Sequence, residues 1–439
     1  MGAVFDSENL PAGDSRLRPG DHASGSENGD LYSPPSKDDF EPPDGGLAAW
    51  SQVVAGNLVN WMAWGLPATF GVYQLYYRDT LQLPQSQISW IGSVQVFLAF
   101  FMCAVSGRLV DAGYARQTIA AGSFLVVFGI MMTSLATEYW QILLAQGICT
   151  GLGMGIMFMP PVAVINSYFR RKRSLALAVS ATGTGFGSLV FPSTVQYLIP
   201  RIGFPWAVRC SGFVALFISV IVLIIIRPRL RPRRSGSLIE WDAFREPPYL
   251  LYTLGSFCLF SALYFGFFYI NTYSRNVVGF DTVTSIRLLL ITNGLGIPSR
   301  PVVGYLADRH LGPINTFVIA VAVLSGMVFA WIGVGSRGGM YAFSAFFGLA
   351  NGAAQGVFVG SLASLTEDPR KMGTRFGMVC TTVAFATLAG PPIAGAIIDR
   401  DGGRYLWAQV WAGSLIALAA VMIGAARWKK TGWNLWVKI

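Results

Sequence analysis

Charged side chains are scarce inside the long apolar runs of this chain, and Arg300 is the clearest of them. It lies in "ITNGLGIPSRPVVGYLADRH" (291–310). A guanidinium within a membrane span is costly, so it marks either an anion-holding site or a fixed set of carbonyl partners. Asn293, Gly296 and Arg300 recur at i, i+3, i+7 and share one helical face. Asn57, Asn60, Trp64 and Ala68 line another face, and Asn351 and Gln355 stand one turn apart. Tyr264 and Tyr269 add aromatic walls with hydroxyl tips. Convergent amides, aromatic rings and a single cation suit a medium-sized organic anion or polar aromatic solute. Each amide has a second use, as an interhelical hydrogen bond.

Other chemistries are poorly supplied. No Asp, Glu or His falls at the centre of a candidate span; Asp111, Asp308 and Asp399 lie at ends. A proton-coupled carrier needs a titrating group in its pathway. The expectation is therefore facilitated movement, or a proton carried only by a protonatable solute. The five cysteines stand singly without CxxC spacing, and there are two histidines. Neither a disulfide framework, a metal site nor a cofactor is expected. With no nucleophile–base set, the chain does not read as an enzyme. "GTGFG" (183–187) resembles half a dinucleotide loop, but it lies inside an apolar run, where close helix packing explains it better.

These residues need helices in a bilayer to position them. The 439 residues are 53% hydrophobic and 12% charged, with mean hydropathy +0.51; soluble domains carry about 25% charged residues. Apolar runs of spanning length fall at 48–76, 89–110, 117–136, 139–165, 175–199, 206–226, 249–272, 284–307, 314–334, 340–365, 373–398 and 405–426. The fold expected is an all-α membrane protein of twelve spans. Residues 1–46 are polar and read as a disordered tail. Segments 47–226 and 249–426 each hold six spans, separated by the Arg/Pro-rich connection 227–248, with a basic tail at 427–439. Basic side chains concentrate in the loops that share a side with both ends, among them Arg170 to Arg173 and Arg227 to Arg234. This places both termini in the cytoplasm, most readily at the plasma membrane. It also accounts for the net charge of +10 without nucleic acid. The expected partners are lipid and a small-molecule substrate, with the monomer as the working unit.

The two halves repeat. "SGRLVDAGYAR" (106–116) and "VGYLADRHLGP" (303–313) follow the second and eighth spans. Gly107 pairs with Gly304 and Asp111 with Asp308 at a common offset, as Gly151 does with Gly348. Parallel six-helix repeats are transporter architecture, with a site between halves that rock about it. The repeated turns are read as gates. Gly107 and Gly304 allow close helix approach, while Asp111 and Asp308 cap the next helix or pair with Arg116 or Arg309 across a closed gate.

These motifs resemble the major facilitator superfamily over about 44–426, and in particular its monocarboxylate-porter branch, including fungal members. "PDGGLAAW" (43–50) is similar to that branch's entry signature, with Leu47 in place of the usual aromatic, and "YFRRKRSLALAVSATGTGFG" (168–187) to its second. "SRPVVGYLADR" (299–309) resembles the eighth helix, where the family's substrate-site arginine precedes a proline. The resemblance implies twelve helices and alternating access. It implies proton–lactate symport poorly. The positions matching the animal lactate carriers' lysine, aspartate and fourth-helix arginine are Ala68, Gly296 and Gly147, and only Arg300 is retained. Uptake of a small organic anion and export of a secondary metabolite both remain open, with a non-transporting receptor as a remote third.

Overall fold

The computed structural model describes residues 42–79, 85–229, 239–366, 368 and 371–432, and the described residues form helices and short connections. The polar tail to residue 41, the middle of the 227–248 connection and the basic end at 433–439 lie outside the described residues.

Twelve helical rods run in chain order. Helix α1 (Leu47–Ala68) breaks near Pro67, which has no N–H to give, and resumes as Phe70–Asp79. Helix α2 is Gln85–Phe101 continued by Cys103–Asp111, α3 is Ala115–Thr133, and α4 is Tyr139–Tyr168. The very short turn between α3 and α4 works because Gln141 accepts hydrogen bonds from the backbone N–H groups of Thr137 and Glu138, at 2.9 and 3.2 Å. The fifth and sixth apolar runs, expected as separate spans, form two helices within Arg173–Ile225, parted at Gly203. There φ is 79° and ψ 163°, a conformation that only glycine holds cheaply. The two helices are α5 (173–202) and α6 (204–225).

The second half holds α7 (Pro247–Asn276), α8 (Thr282–Leu306), α9 (Pro313–Ala330), α10 (Arg337–Leu365), α11 (Met372–Arg400) and α12 (Leu406–Thr431). Among the described residues nine helices are long and apolar enough to cross a membrane. One of the nine, Arg173–Ile225, is two helices and supplies two spans. Helices α1 and α8, which carry Asn57, Asn60, Asn293 and Arg300, complete the twelve.

Lipid-solvated helices gain little from apolar contact alone, so small residues and interhelical hydrogen bonds hold them together. "GTGFG" shows how. A Cβ on Gly183 would lie 2.0 Å from the Asn57 carbonyl oxygen, and one on Gly187 2.3 Å from that of Trp61, so α5 rests backbone to backbone on α1. Gly185, on another side of the same helix, faces Ile297 of α8. One tripled glycine motif thus joins α5 to its own half and to the opposite one.

Candidate functional site

Arg300 is buried, at 4% exposure, on α8. Its Nη1 donates to the Gly296 carbonyl at 2.9 Å and its Nη2 to Gln355 Oε1 at 3.2 Å. Gln355 in turn donates to Asn351 Oδ1 at 3.1 Å. The buried Nε has no hydrogen-bond partner. No carboxylate among the described residues forms an ion pair with it. Gly356 lets α10 approach, since a Cβ there would lie 3.0 Å from the Arg300 Cα. Gly296 makes room for the guanidinium, since a Cβ there would sit 3.1 Å from Nη1. The position where the resembling family carries an acid is therefore occupied by the arginine's own fold-back. The result is a polar chain, Arg300–Gln355–Asn351, that contains no carboxylate and leaves the Nε–H of the cation unmatched.

The other predicted side chains divide. Asn293 is half-buried on α8. Tyr264 is half-buried on α7, against Phe267. Tyr269 donates to the Pro391 carbonyl at 3.1 Å, tying α7 to α11. Asn57 donates to the Val179 carbonyl at 3.0 Å and to Thr182 Oγ1 at 2.8 Å, and it accepts from the Trp61 indole. Asn60 donates to the carbonyls of Gly56 and Ser180 at 2.9 and 3.3 Å. Both asparagines thus lie in the α1–α5 seam, with their amide donors engaged. Asn60→Ala is expected to cost about 0.6 kcal/mol and at most about 1.7. A thermal melt in detergent measures this cost, and the KM of transport should stay unchanged. A several-fold rise in KM at unchanged melting temperature would return Asn60 to the pathway.

The repeated turns sit where the halves meet, on the face of the bundle that carries both described chain ends. Asp111, at the end of α2, accepts from the Thr374 backbone N–H at 2.8 Å and its hydroxyl at 2.6 Å, at the start of α11. Asp308, just after α8, accepts from the backbone N–H groups of Ser174 and Leu175 at 3.0 and 2.8 Å, at the start of α5. Each aspartate therefore caps a helix of the opposite half, not the next helix in sequence. A carboxylate on orphan N–H groups at a helix N-terminus is favourable by charge as well as by hydrogen bonding. Burial pushes the Asp308 carboxyl above its ordinary value, against the opposing pull of those N–H donors and Arg173. Gly107 meets the Gly373 carbonyl and Gly304 meets Ser174 and Ala178. Arg116 is exposed and bonds to no described residue, and Arg309 donates to the Tyr305 hydroxyl of its own turn.

Further contacts hold this face together. Glu240 and Glu246, flanking a short helix (Trp241–Arg245) in the connection, grip the start of α11. Glu246 pairs with Arg375 through two bonds, at 2.5 and 2.9 Å, and Glu240 meets Arg375 at 3.4 Å and also Lys371. Asp44, from the entry motif, accepts from the N–H groups of Arg170 and Arg171 at 2.5 and 2.7 Å. Arg173 crosses between halves to the Ala363 carbonyl at 3.2 Å. At the opposite end of the bundle, just after Gly203, Arg209 rests on Trp206 and donates to Ser134 Oγ, which makes it a packing residue.

Burial alone would raise the Glu240 carboxyl, but hydrogen bonds from Lys371 and Arg375 outweigh it and hold the group below its ordinary value. A depressed folded-state value means the clasp is fully present at neutral pH and is lost as pH falls through that value. Amide hydrogen exchange, corrected for its intrinsic pH dependence, should show 239–246 protected at pH 7 and released as the pH falls below the ordinary carboxylate range. The Glu240→Gln/Glu246→Gln variant should be released at both.

Twelve spans in two six-helix halves, clasped by reciprocal caps, define a membrane transporter of the rocking kind. Residues 53–374 match the model of the Major Facilitator Superfamily, and the chain belongs to that family. An "MFS-type transporter" of Gibberella zeae is 41% identical over 88% of this chain and 88% of its own. The "Aspyridones efflux protein apdF" of Emericella nidulans is 33% identical over 92% of this chain and 82% of its own. The crystal structure of the human organic anion transporter MFSD10 shares the fold, with TM-score 0.68 at 16% identity, over 87% of this chain and all of that one.

Proposed function

We propose that this transporter exports a medium-sized organic anion, such as an acidic secondary metabolite, by alternating access. The observation that carries this reading is the buried Arg300, with an unmatched Nε and no carboxylate partner among the described residues. A guanidinium in that state favours a solute that brings its own negative charge. The absence of acids from the span centres supports a carrier whose only moving proton is one on the solute. Export is favoured over uptake by the Aspyridones efflux protein, to which the chain is similar over most of its length. The motifs at 43–50, 168–187 and 299–309 support a place in the monocarboxylate-porter branch.

In this reading both termini face the cytoplasm of a plasma-membrane monomer, and the caps at Asp111 and Asp308 are its inner gate, closed in the conformation described. Two assays in a host lacking its own monocarboxylate carriers test the proposal. Cells expressing the protein and preloaded with radiolabelled 2-naphthoate should lose it several-fold faster than empty-vector cells, while lactate uptake stays at background. Lactate uptake well above background, with no acceleration of naphthoate loss, would replace export by nutrient uptake.

A further inference from the structure

Six aromatic side chains close a ring across the two halves. Trp64 of α1 contacts Phe100 of α2 at 4.6 Å and Phe158 of α4 at 5.3 Å between ring centroids. In the other half Phe358 of α10 contacts Phe260 of α7 at 5.1 Å and Phe376 of α11 at 5.5 Å. The circuit is completed by two contacts between halves, Phe100–Phe260 at 5.6 Å and Phe158–Phe376 at 6.4 Å. Four of the six pairs thus lie within a half, and two cross. The five phenylalanines are buried and Trp64 half-buried. Phe358 stands three residues from Gln355 on the same face of α10, and Gln355 holds the Arg300 guanidinium.

We propose that this ring is the substrate-selecting wall of the transport path, and that it selects a planar aromatic body joined to an acid. The inference rests on the anion-export reading and names its substrate class. When the halves part, only the two crossing contacts break. What remains is two facing triads, Trp64, Phe100 and Phe158 on one side and Phe260, Phe358 and Phe376 on the other. Aromatic faces and edges are best satisfied by other aromatic faces and edges. A flat aromatic solute replaces both lost contacts in the slot, with its carboxylate one helical turn away at Arg300. A saturated skeleton of the same outline fills the slot without restoring those contacts.

Ligand-induced thermal shifts of the purified, full-length carrier test this with three probes. They are 2-naphthoate, its saturated counterpart decahydronaphthalene-2-carboxylate, and the neutral 2-naphthylmethanol. Naphthoate is expected to bind at least ten-fold more tightly than the saturated acid. Phe100→Leu/Phe260→Leu should erase that ratio while keeping the preference for acid over alcohol. Phe158→Leu/Phe376→Leu, which breaks the other crossing, serves if the first pair does not fold. Arg300→Gln should do the reverse, losing the acid preference and keeping the aromatic one. Equal binding of the flat and saturated acids, no saturable naphthoate binding, or a ratio that survives in a folded double variant overturns the proposal. An acid preference that survives Arg300→Gln overturns the anion reading and leaves the aromatic wall standing.

Discussion

Gly107→Val is expected to reduce transport at least ten-fold while leaving the carrier folded in the membrane. A Cβ on Gly107 would lie 2.1 Å from the Gly373 carbonyl oxygen and 2.7 Å from its carbon. The neighbour is backbone, so no rotamer change relieves the overlap. It is also held in place, because the next residue, Thr374, gives its N–H to Asp111, one turn along α2 from Gly107. The added side chain therefore forces α2 and α11 apart and removes the cap. A charge-assisted hydrogen bond of this kind is worth about 1.5–3 kcal/mol. Losing it shifts the balance between closed and open gates by roughly one to two orders of magnitude. Each half folds around its own seams, which the substitution does not touch, so the defect falls on the cycle. Gly326→Ala is the control, since nothing lies within 4 Å of a Cβ there. Initial rates in vesicles, normalised to carrier amount, measure both. Wild-type rates for Gly107→Val would show that the α2–α11 contact is not part of the working cycle.

The second large effect is expected at Arg300. Arg300→Gln should lower the initial rate for 2-naphthoate at least 100-fold without lowering the melting temperature. The guanidinium has five N–H donors, and its buried Nε is unmatched. A buried charge with so incomplete a partner set contributes little to stability, and replacing it with a neutral group is often neutral or favourable. Its loss to binding is larger, because a desolvated carboxylate left without its cation is strongly disfavoured. Arg300→Lys is not expected to rescue. A compact ammonium cannot bond Gly296 and Gln355 and still present a further N–H in the plane of the fork. A lowered melting temperature with full transport would assign Arg300 to scaffolding.

Much of the architecture was legible in the chain because bilayer physics is local. A span must be long, apolar and internally hydrogen-bonded, so each one declares itself in its own residues. The repeat was legible for the same reason: Gly107 with Gly304 and Asp111 with Asp308 follow from spacing alone. The break between the fifth and sixth spans was legible too, because Gly203 and its neighbouring prolines mark a turn, and the backbone leaves helical geometry at Gly203.

The site was legible in its residue types and not in their partners. Arg300 could be singled out from sequence because a charge in a span is conspicuous. That it folds back over Gly296 and leans on Gln355 depends on α8 and α10 approaching at Gly356. Asn57 and Asn60 looked like pocket residues because they share a face, but that face is the one α5 covers once Gly183 and Gly187 bring it close. The aspartates were expected to cap the next helix or to pair with Arg116 or Arg309 across a closed gate, and they cap helices of the other half instead. No spacing rule reports a contact between residues 111 and 374, or between 308 and 174. By itself, then, the sequence determined the membrane class, the helices, the twofold repeat and the interior cation at Arg300, all of which depend on neighbours within a few turns. The tertiary structure alone decided which polar group satisfies which, since hydrogen-bond partners and aromatic contacts across the halves are set by how close small residues let distant helices come.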